Sequence, residues 1–244
     1  SEKTARSIVN HIEREVQDGM STKQIYDHAF YLLHKQDHPG AIQYSLRRAI
    51  AELGPSGFPF EKYICEIFKQ KGFNAITNQI YKGRCVEHEV DVVAWNDEKV
   101  IMCEAKFHNE LGIKSDLKIA LYIKARFDDL AQSEFLIGGK KRKLTEGWLI
   151  TNTKFSSMAV QYGQCQGMHM VGWNYPSMGN LHQMIEDGDL HPITALTSLI
   201  TFDKKRLLDQ GIVLCKTLME EGRLESLGFP QDKIEKIQEE ITML

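Results

Sequence analysis

The chain has 244 residues and a mass of 28.0 kDa, with 42% hydrophobic and 26% charged residues, a composition typical of a folded globular protein. No apolar run approaches the roughly 18 residues of a membrane span and no basic-then-apolar leader opens the chain, so we expect a cytoplasmic protein whose cysteines are mostly buried free thiols. The net charge of −3 excludes a uniformly basic nucleic-acid binder, so DNA contact would require a local basic patch.

Residues 4–54 have the apolar period of amphipathic helices, and we predict three short helices there. Ser21 or Thr22 is placed to cap the second helix. The three apolar stripes consist of Ile8, Val9, Ile12 and Val16; of Ile25, Ala29, Leu32 and Leu33; and of Ile42, Leu46, Ala49, Ile50 and Leu53.

The stretch STKQIYDHAFYLLHKQDHPGAIQYSLRRAIAEL resembles the later part of an ATP-cone, a nucleotide-binding regulatory module. The resemblance implies ATP as a ligand. The module normally begins with a strand pair whose basic and glycine residues help to hold the nucleotide, and we find no such pair before the stretch, so a helical cap on the next domain is the alternative. We interpret His28, His34 and His38 as surface or turn residues, because no carboxylate pattern for a metal accompanies them.

The tetrapeptide Gly54-Pro55-Ser56-Gly57 is the clearest linker signal, and we place the start of a second domain there. A helix follows to about Gln70, where Gly72 ends it, and Ala75–Tyr81 has the alternation of a strand. After Pro176 the sequence pattern changes again, to that of helices separated by short turns. We therefore expect three domains, over residues 1–54, 55–176 and 177–244.

The stretch from His88 to His108 alternates like the two strands of a hairpin. Asn96 and Asp97 favour the turn between them. Successive side chains of a strand point to opposite faces, so each strand has two sets of residues. We assign Val90, Val92 and Ala94 to one face of the first strand and Glu89, Asp91 and Val93 to the other; in the second strand Ile101, Cys103, Ala105 and Phe107 form an apolar face, opposite Met102, Glu104 and Lys106.

This hairpin allows Asp91 to face Glu104 and Lys106. Two neighbouring carboxylates are oxygen ligands of the kind that Mg²⁺ takes. A lysine beside them can orient or deprotonate a metal-bound water and stabilise charge on a phosphate. The ordinary alternative is the wet face of an antiparallel sheet, on which Glu104 and Lys106 form a surface pair worth under about 1 kcal/mol.

The hairpin resembles the PD-(D/E)xK phosphodiesterases and, among them, the Mrr-like type IV restriction endonucleases. In that family an Asp ends one hairpin strand, Glu-x-Lys occupies the next, and a Glu follows an aromatic residue in the preceding helix, which GFPFEKYICEIFKQKGF resembles here. In the family a proline usually precedes this Asp, and Val90 occupies that position in this chain. The resemblance implies that Glu61, Asp91 and Glu104 surround Mg²⁺ or Mn²⁺ and that Lys106 is the catalytic lysine.

Glu66 is the rival helix carboxylate, because it cannot share a face of a regular helix with Glu61. After the hairpin we predict a helix over 116–131, with Leu117, Ala120, Leu121 and Phe127 inward, then a strand over Glu146–Thr151, a helix over 156–166 and a strand over 168–173. The stretch GWLITNTKFSSMAVQYGQCQGMHMVGW resembles the same portion of the Mrr-like group. Thr151 and Asn152 can touch phosphate, and a helix cap from Asn152 or Ser156 is the more ordinary role.

Two groups of basic residues are candidates for DNA contact. Lys140, Lys141, Arg142 and Lys143 follow two glycines, and a flexible glycine-basic loop can track a DNA backbone. Lys114, Lys118, Lys124 and Arg126 flank the helix over 116–131, where we favour a solvated helix face over phosphate contact.

The stretch LTSLITFDKKRLLDQGIVLCKTLMEEGRLESLGFPQDKIEKIQEEI resembles a tandem helix-hairpin-helix module, in which the backbone amides of tight turns hold a DNA phosphate. We place the first turn at Ile200–Lys204, which lacks the glycines that let phosphate approach, and the second at Leu227–Pro230. Gly228 in the second turn is therefore a candidate DNA contact. Packing or dimerisation is the alternative role of this segment.

These observations predict an α/β protein with a restriction-endonuclease-like α/β/α core, a mixed central sheet and helical segments on either side. The expected function is that of a metal-dependent DNA endonuclease, which hydrolyses phosphodiester bonds of double-stranded DNA with a metal-activated water and acts as a homodimer or in two visits. The alternative is a non-catalytic DNA-binding or ATP-sensing module on a degenerate nuclease fold. A structure-selective junction or repair nuclease is a third hypothesis.

Overall fold

A computed structural model describes residues 2–36 and 46–244, with the side chains of residues 2–5, 22, 23, 26 and 34 outside the description. Two N-terminal helices, α1 (Glu2–Glu15) and α2 (Thr22–Gln36), and a helical stretch over residues 46–51 (α3) confirm the predicted helical start. Ser21 precedes α2 and makes three hydrogen bonds with Gln24: its hydroxyl accepts from the Gln24 backbone amide at 3.2 Å, and Gln24 Oε1 accepts from both the backbone amide and the hydroxyl of Ser21 at 2.9 Å. This reciprocal cap starts the helix.

The apolar stripes of the N-terminal helices are buried to different extents. Leu46, Ile50 and Leu53 are fully buried, as predicted for the third stripe. The stripe of α1 is not a core face, because Val9 is 53% exposed and Val16, just beyond the helix, is 45% exposed. Ile42 and His38 lie outside the described residues.

A five-stranded mixed sheet forms the centre of the molecule, in the order β1-β2-β3-β7-β9. The first three strands are antiparallel neighbours, whereas β3, β7 and β9 run parallel. The strands of this sheet are β1 (Asn74–Lys82), β2 (Glu87–Trp95), β3 (Val100–Lys106), β7 (Glu146–Thr151) and β9 (His169–Val171), and the shorter strands outside it are β4 (Lys114–Ser115), β5 (Phe135–Ile137), β6 (Lys140–Arg142) and β8 (Lys154–Phe155).

Helices cover both faces of this sheet. Helix α4 (Phe58–Gln70) packs against one face, and α5 (Leu117–Leu130) and α6 (Ser157–Cys165) pack against the other. The arrangement confirms the predicted α/β class with a mixed central sheet. Gly147 permits the close approach of α5, because a Cβ at that position would lie 2.2 Å from a ring carbon of Phe127. Leu121, predicted to face inward from α5, is 44% exposed.

Strand β2 does not keep a single alternation along its length. Val92 and Ala94 pack on the α4 side of the sheet, as predicted, but Val90 packs on the α5 side together with Val93. The break falls at Asp91, opposite Asn78 of β1, whose φ of 54° is left-handed. The predicted grouping of Val90 with Val92 is therefore wrong, because the strand bends between them.

The chain continues after the sheet into a helical segment with a hydrophobic cluster of its own. Two buried hydrogen bonds are among the contacts that join this segment to the rest of the molecule: the hydroxyl of Tyr63 donates to the Leu190 carbonyl at 2.6 Å, and Thr194 Oγ1 donates to the Ala49 carbonyl at 2.6 Å. Its helices are α7 (Leu181–Glu186), α8 (Thr201–Asp209), α9 (Cys215–Leu218), α10 (Arg223–Ser226) and α11 (Gln231–Thr242), and a 3₁₀ turn spans Ile193–Ala195.

The first turn of this segment lies in a different place from the predicted one. Residues 201–204 open α8, so no turn separates helices there. The turn comes after α8, at Gly211, whose φ of 73° closely matches the φ of 75° at Gly228 in the second turn. The two turns of this segment, at Gly211 and Gly228, therefore each contain a left-handed glycine, but only the second is where the sequence predicted it. Within the described part of the chain, no helix is long and apolar enough to cross a membrane.

All five cysteines are free thiols. Three of them are buried, as the sequence predicted for most of the cysteines, and the other two lie at the surface. Buried are Cys65, Cys103 and Cys215, and exposed are Cys85 and Cys165.

Candidate active site

Asp91 lies where β2 separates from β3. The pairing of the two strands runs from Trp95 opposite Val100 to Val92 opposite Cys103 and ends there. Beyond this point a side chain of β2 replaces its backbone as the hydrogen-bond acceptor for β3: Asp91 Oδ2 accepts the Ala105 amide hydrogen at 2.8 Å. A buried amide without an acceptor would cost free energy, so this bond fixes the carboxylate against β3.

Glu104 and Lys106 lie on β3 on either side of Ala105. Both belong to the last part of the parallel pairing with β7, where Glu104 is opposite Leu149 and Lys106 opposite Thr151. Each is half-buried. Among the described residues, nothing forms an ion pair or a hydrogen bond with the Lys106 ammonium group.

Glu61 lies in the first turn of α4 and completes the group of carboxylates. Burial, as the largest cause, and the charges of Asp91, Glu89 and Glu104 together raise its pKa to about 7. Gly57 leaves room for the side chain, because a Cβ there would lie 3.2 Å from Glu61 Oε1. Glu66, the rival carboxylate, forms an ion pair with Lys69 at 2.8 Å instead.

Arg126 of α5 is part of the same group, although the sequence favoured a solvated helix face for it. Its Nη1 donates to Glu104 Oε2 at 2.5 Å and to the Glu89 carbonyl at 3.1 Å. Its Nη2 donates to the Tyr122 hydroxyl at 2.8 Å. Both partners of the Arg126–Glu104 pair are largely buried, with side-chain exposures of 13% and 16%, so solvent screens this pair less than a surface salt bridge.

Negative charge is in excess among these groups. Burial raises the pKa of Asp91, whereas the Ala105 amide and Arg126 oppose the rise. Burial and the charge of Asp91 raise the pKa of Glu104, against the effect of Arg126 and Lys106. Carboxylate oxygens that repel one another at a half-buried position are the donor set that suits a hard divalent cation. The residues present therefore fit Mg²⁺ or Mn²⁺.

Further polar residues surround Lys106 at the carboxyl end of β3. Asn152 is buried and clamps the backbone of His108, accepting its amide hydrogen at 2.9 Å and donating to its carbonyl at 2.8 Å. The helix cap of α6 is Ser156, whose hydroxyl accepts the Ala159 amide at 3.2 Å. The imidazole of His108 lies 3.0 Å from the buried Ser115 hydroxyl, and its pKa is lowered by burial and by the charge of Lys106.

Two exposed lysines flank this edge of the sheet. Strands β4 and β8 follow the ends of the β3 and β7 region and pair in parallel, with Lys114 opposite Lys154. Lys114 was singled out from the sequence. Lys154 was not, because nothing in its neighbourhood in the chain distinguishes it from other surface lysines.

The dense basic run lies elsewhere. Residues 140–142 are β6, which forms a hairpin with β5 through the left-handed Gly138 and Gly139, so the run is not a flexible loop. Arg142 donates to the Asn96 carbonyl at 2.6 Å, and Lys140 lies 3.7 Å from Asp97. Asn96 is five residues along β2 from Asp91, about 16 Å at the usual rise of a strand. The run therefore lies at the opposite end of the strand from the carboxylates.

Comparison with known proteins relates two parts of this chain to known families. Residues 54–173 match the family model described as restriction endonuclease, and residues 191–244 match the model described as AF1548-like, C-terminal. An uncharacterized protein of Archaeoglobus fulgidus is 34% identical over 179 residues, which cover 71% of this chain and 95% of that protein. The chain belongs to the AF1548-like family.

One solved structure agrees with this assignment. The crystal structure of AF1548, a protein of unknown function, is 33% identical with a TM-score of 0.60, covering 76% of this AF1548-like chain and 96% of the other. MspJI restriction endonuclease in complex with a 27-mer oligonucleotide is 13% identical with a TM-score of 0.42, covering 81% of this chain and 39% of the other, a level of similarity that does not bear on function. The restriction-endonuclease-like fold is thus shown for residues 54–173.

The raised pKa of Glu61 predicts a pH-dependent stability. Between the ordinary carboxyl pKa and about 7, the folded chain holds a proton that the unfolded chain has released, so stability falls as pH rises through this window. The Glu61→Gln variant lacks this fall. We expect it to gain roughly 1–2 kcal/mol relative to wild type between pH 5 and pH 8, less than the full shift because Glu61 is only half-buried.

Urea unfolding at the two pH values measures this difference. Glu66→Gln, on the same helix and outside the carboxylate group, is the control. Identical pH profiles for wild type and Glu61→Gln would contradict the position of Glu61 among the carboxylates.

Proposed function

We propose that this AF1548-like chain is a metal-dependent DNA endonuclease that hydrolyses phosphodiester bonds. One observation carries the proposal: three carboxylates and a lysine from three elements, α4, β2 and β3, converge at one end of the sheet, with negative charge in excess. A surface salt bridge would not require this convergence. The restriction-endonuclease-like fold of residues 54–173 supports the same chemistry.

In this proposal Asp91 and Glu104 hold Mg²⁺ or Mn²⁺, and Glu61 assists them. When bound, the cation would supply Lewis-acid polarisation of the phosphate and a lowered pKa for the attacking water. Neither ion demands a covalent nucleophile from the protein, because phosphoryl transfer depends on positioned charge.

The side chains of the chain itself have distinct roles. The Lys106 ammonium, which no described residue engages, would contact the attacking water or an oxygen of the scissile phosphate and offset charge that develops there. Arg126 would keep Glu104 ionised and hold one of its oxygens in place. The amide of Ala105 would fix Asp91 in the same way. Such positioning lowers the entropy that the reaction must lose.

DNA would approach the end of the sheet at which β3 ends with Lys106. Lys114 and Lys154 lie at that edge, and their side chains are exposed. The turns at Gly211 and Gly228, with their left-handed glycines, would offer backbone amides to phosphates further along the duplex. The basic residues 140–143 have a smaller part in this arrangement, because Arg142 is engaged with the Asn96 carbonyl at the far end of β2.

Cleavage of supercoiled plasmid tests the proposed site. We expect nicking by the wild-type chain with Mg²⁺ or Mn²⁺ but not with EDTA, and a fall of at least about 100-fold in Asp91→Asn and Lys106→Met, because each removes charge that acts on the transition state. Asp97→Asn and Lys118→Met are matched controls, since both residues are exposed and outside the carboxylate group.

Two results would contradict the proposal in different ways. Full activity in Asp91→Asn and Lys106→Met would place the chemistry on other residues. Wild-type chain that binds DNA and leaves it intact with every metal would support the non-catalytic DNA-binding module.

The DNA-binding face has its own test. We expect the double variant Lys114→Ala/Lys154→Ala to bind a DNA duplex more weakly. The plot of the logarithm of the association constant against the logarithm of the salt concentration should also become less steep by about 2, because binding releases about one counterion for each phosphate contact and this variant lacks two contacts. Fluorescence anisotropy in EDTA at several salt concentrations measures both quantities. Lys140→Ala/Lys141→Ala is the control, and a larger effect of this control pair would place the duplex at the far end of β2.

A further inference from the structure

A second group of metal-ligating side chains lies far along the sequence from the carboxylates, between α1 and α2. His11 and Glu15 are one helical turn apart on α1, and His28 faces them from α2. His11 Nε2 lies 3.2 Å from Glu15 Oε1, and His28 Nε2 lies 2.8 Å from Glu15 Oε2. The two imidazole rings stack with centroids 5.7 Å apart.

We propose that His11, Glu15 and His28 bind a transition-metal ion of the Zn²⁺ type and that this ion fastens α1 to α2. One ligand atom from each residue lies within 4.8 Å of the other two. In a tetrahedral zinc site, bond lengths of about 2.0–2.1 Å put ligand atoms about 3.3 Å apart. The two imidazole nitrogens approach different oxygens of Glu15, at 3.2 and 2.8 Å, so the side chains must rotate to bring three ligand atoms from within 4.8 Å to this spacing.

The donor set selects the metal. Two imidazole nitrogens and one carboxylate oxygen suit Zn²⁺ and its neighbours in the first transition row, whereas Mg²⁺ prefers a set made of oxygens alone. Both His11 and Glu15 are exposed, which leaves space for water in a fourth position. The carboxylates near Lys106 offer oxygens only, so the two sites are chemically distinct.

The contact between His28 and Glu15 is not a satisfied hydrogen bond. His28 Nε2 is shielded from solvent and makes no hydrogen bond with any described residue, although Glu15 Oε2 is only 2.8 Å away. A shielded nitrogen that approaches a carboxylate without the angle of a hydrogen bond is suited to share a cation with it. An ordinary pair of protonated histidine and glutamate would align the N–H with the oxygen.

Part of the apolar stripe of α1 faces solvent. Of the α1 stripe, Ile8 is 6% exposed, whereas Val9 is exposed. A metal that joins two helices adds the binding free energy of the ion to the folded state. An ion at this site would therefore add to the contacts that hold α1 against α2.

Titration of the full chain with Zn²⁺ and with Co²⁺ tests this site. We expect wild type to bind one ion more per chain than His28→Ala or Glu15→Gln, and to develop the visible absorption of tetrahedral Co²⁺ that both variants lack. His182→Ala is the matched control. His182 also contacts a glutamate one turn along its helix, at 3.1 Å, but no third ligand joins this pair within the described residues.

Wild type without a Co²⁺ band, or with the same bound Zn²⁺ as His28→Ala, would overturn the proposal and leave ordinary histidine–glutamate pairs. Glu15→Gln keeps the shape of the side chain and the helix, so its loss of the ion cannot be ascribed to misfolding. All four proteins retain Asp91 and Glu104, and the result is therefore independent of plasmid cleavage.

Discussion

The hydrogen bond from the Ala105 amide to the Asp91 carboxylate is the contact on which the geometry of the carboxylate group depends. The pairing of β2 with β3 ends at Val92, and without the Asp91 carboxylate, one residue earlier in β2, the buried Ala105 amide would lack an acceptor. The bond holds Asp91 beside Ala105, whose two neighbours in β3 are Glu104 and Lys106. A single change of strand direction thereby brings an acid from β2 to an acid and a base from β3.

Concentrating carboxylates here costs free energy, and the fold offsets part of that cost. Arg126 is the main counter-charge, reaching from α5 to Glu104, and Lys106 is the second. The offset is incomplete, because the pKa values of Glu61, Asp91 and Glu104 all remain raised. Remaining negative charge at a fixed position is what a cation site requires before the ion arrives, so the local loss of stability and the proposed chemistry have the same origin.

The hairpin and its polar residues could be predicted from sequence because they depend on local rules. A period of two identified both strands and the asparagine-aspartate pair identified the turn, whereas Glu61 came from the resemblance to the PD-(D/E)xK phosphodiesterases. Arg126 depends instead on how α5 crosses the sheet, which no local pattern encodes. Val90 was misassigned because the bend of β2 depends on where its pairing with β3 ends. His11 and His28 are on separate helices and become neighbours only when α1 packs on α2.

The most direct test of the cation site is an anomalous difference map from a crystal of the chain soaked in Mn²⁺. We expect a peak about 2.1–2.3 Å from carboxylate oxygens of both Asp91 and Glu104, with Glu61 on the same side. A crystal in which Mn²⁺ occupies other sites and leaves the space between these two carboxylates without a peak would contradict the proposal that they hold the metal.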